Sequence, residues 1–506
     1  MSLHRSPRLR APASGSSLRV GRVSAACAVL LTAATAASAR PSDPPLIDAV
    51  RRGDAAAVRT LIAGQADIDA AQGDGVTALF WAVHRDDHAI TDLLLRAGAQ
   101  VNVADDTAAT PLYVACTNGS ARLVRTLLDA GADPNATLLH GETVLMHCAR
   151  TGDPATVRAL VAAGAAVDAR EGAHDQTALM WAAAEAHPAA VAALIEAGAD
   201  VGARSRAYLQ TVTAAGAQRP EGAYNLLRGG STPLHFAARS GDAESARRLL
   251  AAGADPDATL ADGMNAITLA AYSGHGGVGA VLLDHGADPN GAATGYAALH
   301  AAVLRGDEAL VQALLARGAD PDARLMRGTP IRRQTADLSL RASQIGATPY
   351  LLAAEFLEAD IMRALVAGGA DAGLVMPDGT TALMLAAGLT ARTTRNRRGV
   401  GLGEGGTVED EALAVEAVRA ALEPGAHVNA RNLEGETALH GAAGMGYDDV
   451  IRLLVVEGAL VDVETTGGVT PLALASRAGE RRGATSFESR QHPSTVALLR
   501  RLGATR

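Results

Sequence analysis

The sequence contains no lysine, so all 45 of its basic residues are arginine, which we read as a bias of the source genome and not as a functional trait. Aromatic residues are only 3% of the 506, with four Phe in all. A single large core usually leans on aromatic side chains, each burying roughly 150–250 Å². Their scarcity, with Ala, Leu and Gly dominant, points instead to thin layers of closely packed helices. Cysteine is scarce too: Cys27, Cys116 and Cys148 are too few for a disulfide framework. Outside the N-terminal region no apolar run reaches the ~20 residues of a membrane-spanning helix. Net charge is −9, and residues 1–40 hold six Arg and no acid, leaving about −15 on the rest. That balance argues against a nucleic-acid partner.

The N-terminal segment has the layout of an export signal. An Arg-bearing, acid-free stretch leads into the apolar run Val23–Ala37 and ends in Ala37-Ser38-Ala39, a small-x-small cleavage pattern. Residues 1–39 are therefore expected to be removed after Ala39. The mature chain would be periplasmic or secreted, with no stable membrane span.

Comparing the chain with itself shows a repeat. A short box recurs at Thr77, Thr110, Thr143, Thr177, Thr232, Asn265, Ala297, Thr348, Thr381, Thr437 and Thr470, with a degenerate copy at Pro44. Thr110-Pro111-Leu112-Tyr113 and Thr232-Pro233-Leu234-His235 are typical copies. The period is near 33 residues, broken by gaps of 55, 51 and 56. A second box follows each first one, as in Leu127-Leu128 then Gly131-Ala132-Asp133. Between them the pattern fits two short helices. Thr caps the first through its side-chain oxygen, Pro suits the first turn, and Gly152, Gly241 or Gly306 ends it. The second helix carries apolar residues at three-four spacing. Asp-Gly pairs such as Asp74-Gly75 then supply a tight turn.

These boxes resemble the ankyrin repeat, with its Thr-Pro-Leu-His-x-Ala signature. The resemblance covers nearly the whole chain after the leader. It implies an all-α repeat solenoid, an array of about twelve helix-turn-helix units with β-turn fingers, stabilised by stacking between neighbours. Repeats 1–5 occupy 41–202, repeats 6–8 occupy 232–323, and repeats 9–12 occupy 348–506. Insertions fall at 203–231 and 324–347, in finger positions, and at 391–408, after a first helix. A smaller one, Glu480–Gln491, takes that same place in the last unit. The three long insertions carry +3, +4 and +3 by residue count, against an acidic remainder. One expectation is that they engage an acidic or anionic partner. The other is that their arginines are solvated or pair with the chain's own acidic repeats.

Catalytic patterns are missing. His84, His88, His140, His147 and His174 lack zinc-site spacing, and Gly399–Gly406 lacks the ending of a phosphate loop. No Gly-x-Ser-x-Gly elbow or His-Glu-x-x-His is present. No catalytic residue, cofactor or metal is expected. The box histidines His235, His300 and His440 are expected to hydrogen-bond between units, and Trp81 and Trp181, at equivalent places, to pack beneath the fingers. Cys116 and Cys148 lie one register position apart on neighbouring layers spaced about 10 Å. That distance predicts two buried free thiols. By its resemblance to ankyrins the chain should be a scaffold that binds protein through its concave face and fingers, with an enzyme inhibitor, an enzyme-associated module or a structural spacer as alternatives. The matching contact positions are Asp74, Val76, His84, Arg85, Thr117, Asn118, Arg150, Thr151, Arg239, Ser240, Tyr272, Ser273, Leu304 and Arg305, with Arg327, Arg332 and Arg333 in the second insertion.

Overall fold

A computed structural model describes residues 43–214, 223–331, 339–389, 408–476 and 492–505. The leader, most of the 391–408 insertion and Glu480–Gln491 lie outside the described residues. The chain divides into two units, Met1–Asp43 and Pro44–Arg506. Among the described residues the second holds twelve helix pairs, from Pro45–Arg52 with Ala55–Ala63 to Pro471–Ser476 with Pro493–Arg501.

Each pair begins as its sequence dictates. Thr77, Thr110, Thr143, Thr177, Thr348 and Thr381 accept the backbone N–H three residues on, capping the first helix. Where the fourth box residue is His, the arrangement changes. Thr232 and Thr437 turn their hydroxyls to the imidazole Nδ1 of His235 and His440, at 2.8 and 2.9 Å. Gly152, Gly241, Gly274, Gly306 and Gly446 end first helices in the left-handed conformation.

The first helices pack in an unbroken series, each on the next, across both finger insertions. The Ala-rich boxes make this possible: Ala82, Ala115, Ala149, Ala182, Ala237, Ala270 and Ala302 are all buried at the helix contacts. Core burial is shared among neighbouring repeats, so no repeat owns a complete core.

The expected free thiols are instead a disulfide, Cys116–Cys148, with a Cα–Cα distance of 4.8 Å. A layer spacing of about 10 Å is measured between helix axes, and each Cα lies about 2.3 Å from its axis. Facing Cα atoms are therefore only about 5 Å apart, within disulfide reach. The axis distance was the wrong quantity.

A second ladder runs along the finger stems. Asn102 Oδ1 accepts the Asp133 N–H at 2.8 Å while its Nδ2 donates to Gly131 O at 3.1 Å. Asn135, Asn290 and Asn429 repeat the pattern. Asp69, Asp168, Asp257, Asp322 and Asp462 make the acceptor half. Two rungs are missing, where the position is Gly202 or Gly373, with no side chain to bridge repeats five to six and nine to ten. Gly202→Asn should supply the absent rung to Asp255 and stabilise the array by about 1 kcal/mol. A urea midpoint that stays the same or falls would contradict this.

The insertions add what the all-α expectation did not include. In the first insertion β1 (Tyr208–Ala214) pairs antiparallel with β2 (Ala223–Arg228) as a hairpin's two strands, and the second insertion contributes β3 (Pro330–Ile331). The strand order is β2-β1-β3, antiparallel throughout, with Tyr208 opposite Arg228 and Thr213 opposite Ile331. The second insertion is seated by Leu325 and Leu340, both buried, and by backbone bonds from Leu325 to Ala347 and from Thr329 to Leu340.

Candidate interaction face

A short helix packed between two neighbours has little left to present. In Pro233–Ser240 every residue from Pro233 to Ala238 is buried, so only Arg239 and Ser240 reach outward. Val144–Thr151 is the same: Val144 to Ala149 are buried, and Arg150 and Thr151 emerge. The positions free to vary are thus confined to the C-terminal end of each first helix, to its fourth residue where that is large, and to the fingers.

The sequence-predicted positions divide into three groups. His84, Arg85, Thr117, Asn118 and Arg239 are exposed, and Arg150, Thr151, Ser240, Tyr272, Ser273 and Arg305 are half-buried. Several of these are already engaged. Asn118 Nδ2 donates to Val83 O at 2.9 Å, Ser240 Oγ to Ala183 O at 2.9 Å, and Arg305 Nε to Tyr272 O at 2.6 Å, each joining neighbouring repeats. Thr117 and Thr151 donate to carbonyls of their own helices. Exposed Asp74 accepts the Val76 N–H within its finger. Val76 and Leu304 are buried and serve packing. Arg327 is exposed, with its guanidinium 5.8 Å from the Tyr224 ring centroid. Arg332 and Arg333 lie outside the described residues.

Sequence reading missed a set of rings at one register. Trp81, His147, Trp181 and Phe236 each sit four residues into their first helix. The His147 ring lies edge-on between Tyr113 and Trp181, with centroids 4.4 and 5.2 Å away. Burial, then the Arg150 charge, pushes its pKa down to about 3, so it is neutral. Trp81 Nε1 donates to Gln72 Oε1 at 2.8 Å, but the equivalent Trp181 Nε1 has no partner, nor does either His147 nitrogen. The shared register of the two Trp was visible in the sequence; His147 was not distinctive there.

Among the described residues, four arginines of the two finger insertions are occupied by the chain itself. Arg204 Nη1 donates to Gly230 O and Thr259 O, at 3.2 and 2.6 Å, and Arg324 repeats this on Gly346 O and Val375 O, at 2.7 and 2.8 Å. Arg170 makes the same latch from its own finger to the next, as does Arg431. Arg206 pairs with Asp175 at 2.7 Å, and Arg228 with Asp262 at 3.4 Å. Among the described residues no group of three or more His, Cys, Asp or Glu is placed to hold a metal, and no helix is long and apolar enough to cross a membrane.

The box histidines hold the backbone. Nδ1 of His235, His300 and His440 accepts the N–H of the residue before the helix at 3.1–3.2 Å. His440 Nε2 also meets Val469 O of the next repeat at 3.1 Å.

The family model described as ankyrin repeats (3 copies) matches residues 46–138, 135–205, 234–324 and 410–486. A solved structure, the ankyrin repeat domain of human ASB11, is 28% identical over 48% of this chain and 97% of its own length, with a TM-score of 0.39. Between the third and fourth matched segments the helices Pro349–Glu355, Ala359–Ala367 and Ala382–Ala386 continue the same pairing and stacking. With most of its length matched and its helices paired and capped in this way, the chain belongs to the ankyrin-repeat family, whose repeats as a class mediate protein–protein interaction.

Proposed function

We propose that this chain is an exported scaffold that holds a protein partner across the ends of its first helices and its fingers. The observation that carries this reading is one row of large side chains that emerge at the ends of the first helices. Trp181 and Arg150 are half-buried and Arg239 is exposed, and neither Arg150 nor Arg239 has an ion pair among the described residues. Trp, Tyr and Arg are the side chains most often found as anchors of protein interfaces. Charge in the insertions adds little to this reading, since four of their described arginines are engaged internally.

Export rests on the Val23–Ala37 run and the Ala37-Ser38-Ala39 site. The Cys116–Cys148 bond supports it, because such bonds persist in oxidising compartments and are rare elsewhere. The test is recovery of the native chain from its cells after cross-linking. The expected result is an extracytoplasmic fraction containing a chain that begins at Arg40, with no free thiol at Cys116 or Cys148 and one stoichiometric protein partner. Trp181→Ala should lower partner recovery at least tenfold. A chain recovered from the cytoplasm with its leader intact would sink the export reading, and no partner at all would leave a spacer.

A further inference from the structure

The helices of this array pack within their own repeat or on an adjacent one. The inserted strands reach further. β1 rises from the finger between repeats five and six, and β3 from the finger between repeats eight and nine. They nevertheless pair, with Thr213 opposite Ile331 and Ala214 opposite Pro330. Two ordinary fingers lie between their origins, and residues of both meet the sheet. Asp262 of the one, with Thr294 and Tyr296 of the other, lines a small cavity together with Tyr224 of β2 and Pro330 of β3.

Each insertion is also tied to the finger beside it. Gly229 O accepts the Ala261 N–H at 3.0 Å, and Arg228 pairs with Asp262 at 3.4 Å. On the far side the Met326 N–H donates to Gly295 O at 2.8 Å. Between these, Gly263 of one ordinary finger lies against Ala293 of the next. The contacts therefore close a ring, which runs from finger to finger along the array and returns from the second insertion to the first through β3 and β1.

A repeat array bends by small rotations at successive junctions, each coupled only to its neighbours. The fingers stand off the helix stack, so a bend at any junction changes the gap between finger ends. A contact that joins the finger opening repeat six to the finger opening repeat nine fixes the sum of three such rotations. It is also a slight contact. It consists of two residue pairs, and Pro330 brings no N–H to it. The helices beneath are held by their own buried faces, with Ala237, Ala270, Ala302 and Ala353 all at 0% exposure, and do not depend on it.

We propose that the pairing of β1 with β3 is a clasp: closed, it fixes the curvature of repeats six to nine, and opened, it lets them flex while every helix stays stacked. The clasp needs no ligand and does not rest on the reading of the chain as a protein-binding scaffold. It determines whether the outward ends of those first helices keep a fixed spacing.

Double electron–electron resonance on the full chain tests this, with spin labels on Ala251→Cys and Ala367→Cys. These exposed residues end equivalent second helices in repeats six and nine. Cys27→Ser leaves no other free thiol while Cys116–Cys148 stays oxidised. The distance distribution should be single and narrow in the parent, and at least twofold broader with Ile331→Pro, which removes an N–H from β3 and leaves β1 and β2 paired. Labels on Arg96→Cys and Glu196→Cys, which end the equivalent helices of repeats two and five, should give the same distribution with and without Ile331→Pro. Hydrogen exchange in the helices of repeats six to nine should also be unchanged. Equal widths in the parent and Ile331→Pro would show that the contact does not set the curvature. Broadening at both label pairs, or faster exchange in the helices, would show that the strands support the stack itself, and would equally overturn the proposal.

Discussion

Acidification from pH 7 to pH 5 should cost the array roughly 5 kcal/mol of stability. The cause is a set of buried imidazoles. His235, His300 and His440 are at most 1% exposed, and His147 is 6% exposed. Burial pushes His235 and His300 down to about 4 and His147 to about 3, and it lowers His440 too. Each is depressed from the ordinary value of about 6.5, so the unfolded chain takes up protons first as pH falls. Stability is complete above about pH 6.5 and declines below it until the folded groups also titrate, near pH 4. Each group with a folded pKa near 4 or lower contributes about 2 kcal/mol of loss by pH 5. Geometry agrees with the electrostatics. Nδ1 of each box histidine accepts the backbone N–H that opens the helix, so a proton placed there would face a donor. Urea midpoints at pH 7 and pH 5 measure the effect, and His235→Gln should flatten part of the slope. Equal midpoints at the two pH values would refute it.

Three of the four histidines behind the pH dependence, His235, His300 and His440, hold a place legible in the sequence, because the recurring box fixes helix starts, helix ends and stacking order together. What could not be read was contact between segments that share no period. β1 and β2 have some strand character, in Thr211-Val212-Thr213 and Tyr224-Asn225-Leu226, but nothing in either foretells β3 joining from the other insertion. The Arg-rich insertions were a similar case. Counting charges showed an excess, but not that Arg204 and Arg324 would reach the carbonyls of the next finger. Their shared position, six residues after Gly198 or Gly318, is periodic, since Arg170 and Arg431 stand six residues after Gly164 and Gly425. Tyr113 and His147 were hidden for another reason: an interaction face is built of the positions that do not repeat.

Gly229→Ala should detach the hairpin while leaving the helices stacked. Gly229 has φ +84°, and an added Cβ would lie 2.0 Å from Arg206 O and 3.2 Å from Ala207 Cα. The obstacle is backbone, which cannot rotate away as a flexible side chain would. Arg206 is itself fixed, by its N–H to His174 O at 2.6 Å and its guanidinium to Asp175. Left-handed strain adds to the overlap. A local cost of about 3 kcal/mol or more follows, enough to open a two-stranded ribbon that is marginal alone. The stack should survive, because Ala178–Ala184 packs directly on Pro233–Ser240 without help from the insertion. Hydrogen exchange should therefore accelerate across 206–230 while the helices of repeats five and six keep their protection. Unchanged exchange in the hairpin would show that the overlap is relieved elsewhere.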